Sequence, residues 1–157
     1  MLELEKNVLT NLILDQKNVQ FCKEKKITSD FFQFPETRKL FEIVVWYTDE
    51  FKILLQPDAL QNVLELSTKI SQDLKTKLVV LFAEIQLLST SSNFDLLLEE
   101  FLKYHTSTLL RRTLTTAVDL LGEKKYPEAV RSLKDDLVKI ERLTLPPTIH
   151  SGFLEED

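Results

Sequence analysis

The chain has 157 residues, 43% of them hydrophobic and 29% charged, with a formal net charge of −5. That balance is too apolar for intrinsic disorder, suffices to bury one ordinary core, and argues against a general electrostatic affinity for nucleic acid. Two glycines and five prolines cannot punctuate a β-rich chain, which needs turn residues every ~8–12 positions, so an all-α fold is expected. Cys22 is the single cysteine and permits no internal disulfide, which fits a reducing compartment. The first residues, Leu2-Glu3-Leu4-Glu5, are acidic where a signal peptide would be basic. The most apolar run, residues 78–88, is broken by Glu84 and is too short to span a bilayer. A cytoplasmic protein is expected.

In chain order, Val8, Leu9, Leu12 and Ile13 fall at helical spacing and predict a first amphipathic helix. A polar helix follows, and then Asp30-Phe31-Phe32-Gln33-Phe34-Pro35 crowds three phenylalanines into a loop. These rings are expected to be pinned into the core between two helices, with Pro35 and Glu36 opening the next one. That helix carries Leu40, Phe41, Val44, Val45 and Tyr47. Gln56-Pro57-Asp58 starts another, with Leu60 and Leu64 inward. The strongest stripe is Ile70, Leu74, Leu78, Leu81, Phe82, Ile85 and Leu88, expected at the centre of the core.

Past Ser89 the composition turns polar, and Ser92 with Asp95 three residues on resembles a capping box. A long helix is predicted from about Phe94 to Leu121, stopped by Gly122. After the turn Gly122-Glu-Lys-Lys-Tyr126, a second helix starts at Pro127 with Val130, Leu133, Leu137 and Ile140 on one side. The expected organisation is a helical globular head over residues 1–92, a long antiparallel helical hairpin over 93–143, and a linker over 144–157, where Pro146-Pro147 ends helical periodicity.

Catalytic chemistry finds no constellation here. His105 and His150 are far apart in sequence, and His105 sits on the helix stripe between Phe101 and Leu109, where a packed, hydrogen-bonded histidine is the ordinary reading. No His/Cys metal spacing and no glycine-rich phosphate loop occurs, and the acidic residues are scattered at helix-surface spacing. The expectation is a stretch with no catalytic residue, no cofactor site and no metal site of its own.

The order of these signals resembles a known family. Leu4-Glu5, Val8-Leu9 and Leu12-Ile13-Leu14-Asp15, then a polar helix, then Asp30-Phe31-Phe32 with Arg38-x-Leu40-Phe41, is similar to the N-terminal domain of DnaB-type replicative DNA helicases. Residues 53–65 resemble that family's extended segment leading into a short helix. Residues 94–121 resemble its long helix, with a basic residue before an aliphatic-alanine stripe. The likeness covers about residues 4–143. A strong helix over 67–92 replaces the glycine-containing segment of the bacterial members, so the phage-type branch is the nearer likeness.

That resemblance implies a collar domain of a hexameric ring that mediates oligomerisation and docks a primase or helicase loader. ATP and Mg would belong to a RecA-like motor domain beyond the linker, and single-stranded DNA would be held weakly by the assembled ring. The expected oligomer or partner interface is Leu109, Leu110, Leu114, Ala117, Leu120, Leu121, Val130, Leu133 and Leu137. The expected DNA-facing residues are Lys23, Lys25, Lys26, Arg111 and Arg112. The alternative is a free-standing adaptor, since Gly122 to Leu133 looks like the inter-helix turn of a tetratricopeptide repeat, although no second copy occurs about 34 residues away.

Overall fold

The structure, a computed structural model, describes residues 2–90 and 93–144, and among these every regular element is helical. In order they are α1 (Leu2–Leu14), α2 (Gln16–Glu24), a 3-10 turn (Ser29–Phe31), α3 (Pro35–Phe51), α4 (Pro57–Leu66), α5 (Gln72–Leu87), α6 (Phe94–Gly122) and α7 (Tyr126–Thr144). The fold class is all-α. The chain divides into two compact units, Met1–Phe101 and Leu102–Asp157, with the division inside α6. No helix among the described residues is long and apolar enough to cross a membrane.

The first unit is built on α1, α3 and α5, each of which packs against the other two. Their buried stripes supply the core: Val8, Leu9, Leu12 and Ile13 from α1, Leu40, Phe41 and Val44 from α3, and Leu78, Leu81, Phe82 and Ile85 from α5. Each such side chain contributes about 1.5–3 kcal/mol by its removal from water. The α5 stripe is shorter than its sequence suggests. Ser71 caps the helix by accepting from the Leu74 amide at 3.2 Å, so Ile70 lies before the helix and Leu74 on its first turn, both half-buried. Thr10 joins α1 to α5 by donating to the Ile85 carbonyl at 2.9 Å. Lys6 and Glu84 pair across the same contact at 2.6 Å, and this bond is the main reason the Lys6 pKa is raised.

The phenylalanine-rich loop is pinned by two rings rather than three. Phe31 and Phe32 are buried. The Phe32 ring lies 4.8 Å from Phe41 and 4.9 Å from Phe101, and Phe31 lies 6.4 Å from Phe101. Phe34 is only half-buried because it is the residue that turns the extended chain into α3. Arg38 reaches back from α3 and donates to the Phe32 carbonyl at 3.1 Å.

α3 begins with Pro35 and has no cap from the side chain of Phe34. A carboxylate from another helix holds the segment that leads into it. Glu5, a fully buried residue of α1, accepts from the Gln33 amide at 3.0 Å and from the Thr37 hydroxyl at 2.5 Å. A carboxylate there meets the positive end of the α3 dipole. Burial nevertheless pushes the Glu5 pKa up, and the bonds from Thr37, Gln33 and Phe34 offset it only in part.

At α6 the expected capping residue Ser92 lies outside the described residues. The cap that the structure describes is Asn93, whose side-chain oxygen accepts from the Leu96 amide at 3.1 Å.

Glu5→Ala should destabilise the protein by about 2–4 kcal/mol, because it leaves buried donors without their acceptor. The pH dependence has a defined sign. Since the folded-state pKa is raised from 4.5, the stability linked to this group is fully present below the unfolded value and is lost as pH rises through the folded one. Urea unfolding at a series of pH values should therefore show the wild type losing stability relative to Glu5→Gln as pH climbs above about 4.5.

Candidate functional site

Within the second unit, α7 folds back along the C-terminal half of α6. The reversal occupies residues 123–125, and Thr113 Oγ1 of α6 lies 3.5 Å from Asp136 Oδ2 of α7. The reversal is not made by Gly122. That glycine stays helical, with nothing within 4 Å of the place where a Cβ would sit. The left-handed residue is Lys124, at φ 60. Its amide donates to the Leu121 carbonyl at 3.0 Å and the Lys125 amide to the Leu120 carbonyl at 2.9 Å, the paired closing bonds of a Schellman end.

The seam is marked by four buried residues, Thr113 and Ala117 on α6 and Ala129 and Ile140 on α7, three of them small. The larger apolar side chains of both helices stay exposed. At 3.6 residues per turn, Leu110, Leu114 and Leu121 sit roughly a quarter turn from Thr113, and Tyr126, Val130 and Leu137 the same angle from the α7 seam. The helices run antiparallel, so the same rotation carries both sets to one side of the pair. There they expose between 38% and 66% of their surface.

The nine residues expected to form an interface thus divide. Leu110, Leu114, Leu121, Val130 and Leu137 are exposed on that face, Leu109, Leu120 and Leu133 are half-buried beside the seam, and Ala117 is buried within it. Two members were missed. Val118 and Tyr126 are exposed, at 64% and 56%, and both were legible as residues four positions after Leu114 and four before Val130.

The basic residues are placed differently. Lys23 is paired with Asp49 of α3, Lys25 holds its ammonium 5.4 Å from the Phe21 ring centroid, and Lys26 ends α2 in the left-handed conformation at φ 59. Arg111 Nη2 lies 3.5 Å from Ser107 Oγ, one turn earlier on α6, and Arg112 is exposed. The lysines belong to the first unit and the arginines to the second.

His105 is buried on α6, and His150 lies outside the described residues. Among the described residues no group of three or more His, Cys, Asp or Glu side chains could hold a metal ion. Cys22 is wholly buried, and that burial pushes its thiol pKa up to about 12, which removes the thiolate needed for nucleophilic chemistry at neutral pH. No family model, curated protein or solved structure matches the chain.

Three helices end on a lysine with positive φ: Lys26, Lys52 and Lys124. A side chain in that conformation costs about 1–2 kcal/mol, from which glycine is exempt but for its greater unfolded-state freedom. Lys124→Gly should raise stability by roughly 0.5–1 kcal/mol, read as a higher melting temperature with unchanged helicity. Lys26→Gly should behave alike.

Proposed function

We propose that this chain is a non-catalytic helical assembly module, and that its place is the N-terminal collar of a DnaB-type hexameric replicative helicase. The observation that carries the assembly reading is the single apolar face on α6 and α7. Seven large apolar side chains (Leu110, Leu114, Val118, Leu121, Tyr126, Val130 and Leu137) are exposed there at 38–66%. At about 150–250 Å2 for a large side chain they amount to roughly 700 Å2 of apolar surface, near the ~800 Å2 that each partner brings to a standard interface. Monomeric proteins rarely leave a patch of that size uncovered.

The helicase assignment rests on the order and spacing of sequence signals, above all Asp30-Phe31-Phe32 followed by Arg38-x-Leu40-Phe41. In this reading the face joins hairpins of neighbouring collar domains, and primase or a helicase loader docks on the assembled ring. ATP hydrolysis and Mg binding are functions of the RecA-like motor domain. Single-stranded DNA would meet the ring weakly and in a salt-sensitive way. Residues 102–143 hold nine basic and six acidic side chains, and residues 1–101 hold 11 and 16, so Arg111 and Arg112 are better placed for phosphate than the lysines of the first unit. Repetition around a ring would multiply such contacts.

Light scattering on the purified protein tests the assembly reading. The wild type should run above the monomer mass of 18.3 kDa. Leu110→Glu combined with Leu121→Glu should bring it to that mass with helicity retained. A wild type that stays monomeric at high concentration, or an unchanged mass in the double variant, would overturn the proposal.

A further inference from the structure

The first unit carries a second apolar surface, unrelated to the α6–α7 face. Trp46, Tyr47 and Phe51, near the C-terminal end of α3, pack together, the Trp46 and Phe51 rings edge to face with centroids 5.9 Å apart at 88° and the Tyr47 and Phe51 rings tilted with centroids 4.7 Å apart. Together with Ala59, Val63 and Leu66 of α4 they line an open cavity of about 340 Å3. Trp46 is the only tryptophan of the chain. It is 50% exposed, Phe51 51% and Leu66 84%.

A core seldom leaves three such side chains in water beside a cavity. Their position follows from where the inward stripes of α3 and α4 lie. Both helices turn their aliphatic stripes, Leu40, Val44, Leu60 and Leu64, into the core, and the residues a quarter to a half turn away are left to form the rim of a groove between them.

We infer that this groove docks a short amphipathic helical segment of another protein, one that sets a bulky apolar side chain into the cavity and carries basic residues beside it. Size selects a short segment. The three most exposed rim residues offer roughly 400 Å2 at about 150–250 Å2 for a large side chain, half of the ~800 Å2 each partner brings to a stable globular interface. A second copy of this chain meeting the patch alone would bury too little. The cavity volume lies at the low end of the range for bound ligands, about 300–1,000 Å3, which suits one or two side chains from a helix lying in the groove.

Charge selects basic flanks. Glu42 and Glu50 stand one turn before and one turn after Trp46 on α3, and Asp58 adjoins Ala59 on α4, all three exposed. Glu42 already has Lys39 at 3.0 Å, and of the cations near the groove Lys75 is engaged by the Ser67 carbonyl at 2.9 Å, which leaves Glu50 and Asp58 to set the sign of the rim against Lys52 beside Phe51. The unit that holds the groove has 16 acidic and 11 basic side chains, so its field favours a cationic partner during the approach as well as in the complex.

Trp46 reports its own occupancy, because an apolar partner closing over the indole shifts its emission to the blue. Three synthetic helical peptides serve as probes: a leucine-lysine amphipathic helix with one central phenylalanine, the same helix with glutamate for lysine, and a scrambled lysine peptide without an apolar face. The lysine helix should give a saturable blue shift at one peptide per chain. The glutamate helix and the scrambled peptide should each bind at least roughly tenfold more weakly. Leu66→Glu, at a site already 84% exposed and hence safe for folding, should weaken the lysine helix by at least about tenfold. The Leu110→Glu, Leu121→Glu variant should bind it as the wild type does, which separates this groove from the α6–α7 face.

The inference is overturned by any of three results: no saturable shift, equal binding of the lysine helix and either control, or unchanged binding in Leu66→Glu. A blue shift that grows with protein concentration in the absence of peptide, and is lost in Leu66→Glu, would also overturn it by making a second copy the occupant.

Discussion

The first unit depends on one carboxyl group placed where a helix needs it. α3 is the element that contacts α1, α2, α5 and the 3-10 turn, and its own sequence supplies Phe34-Pro35 at the start, which fixes a backbone angle but offers no acceptor to the amides that precede the first helical bond. Glu5 of α1 ties that start down instead, accepting from the Gln33 amide just before the helix and from the Thr37 hydroxyl on its first turn. The cost is a buried acid whose charged form is disfavoured by desolvation. The return is geometric: α1 cannot slide or rotate against α3 without stripping the Gln33 amide and the Thr37 hydroxyl of their partner. Apolar stripes alone tolerate such slippage, because Leu, Val and Phe contacts are not directional.

Around that junction the aromatic loop completes the arrangement. Phe32 sits between Phe41 of α3 and Phe101 of α6, and the Arg38 guanidinium holds the carbonyl that Phe32 exposes. The loop is therefore held twice, by ring packing below and by a charged donor above. Phe34 is spared from the core because the chain has to leave the loop and enter a helix at that residue. Crowded phenylalanines in one loop thus divide between core and hinge.

How much of this was legible follows from what each feature depends on. The helices were visible because leucine and valine recur with the helical period, and Pro35 and Pro57 mark first turns whatever surrounds them. The role of Glu5 was not visible: in sequence it is one acid among several on an amphipathic helix, and only the approach of α3, some thirty residues away, gives it donors to accept from. The ends of helices misled for a related reason. Gly122 looked like the stop after α6, yet Glu123 still intervenes before Lys124 takes the left-handed position, since in a Schellman end the closing bonds choose the residue and glycine only makes the choice cheaper. Lys23 to Lys26 read as one positive cluster, whereas Asp49 from α3 neutralises one member and helix termination occupies another. The exposed members of the α6–α7 face were largely legible. The small residues of the seam were not, because Thr113 and Ala129 carry no hydrophobic signal.

The two compact units expose apolar surface of different kinds, and the difference bears on what each can hold. The α6–α7 face is long, largely aliphatic and carried on two helices whose buried residues include Thr113, Ala117, Ala129 and Ile140. In the proposed assembly a surface of that shape would meet another pair of helices, and its area approaches that of a standing interface. The groove beside Trp46 is short and aromatic, with an acidic rim, on a unit whose acidic residues outnumber its basic ones. Aromatic rings present large contact area with few torsions to freeze, which favours anchoring a single segment over cementing an assembly. The groove residues lie within the first unit and the long face belongs to the second, so the two surfaces share no residue.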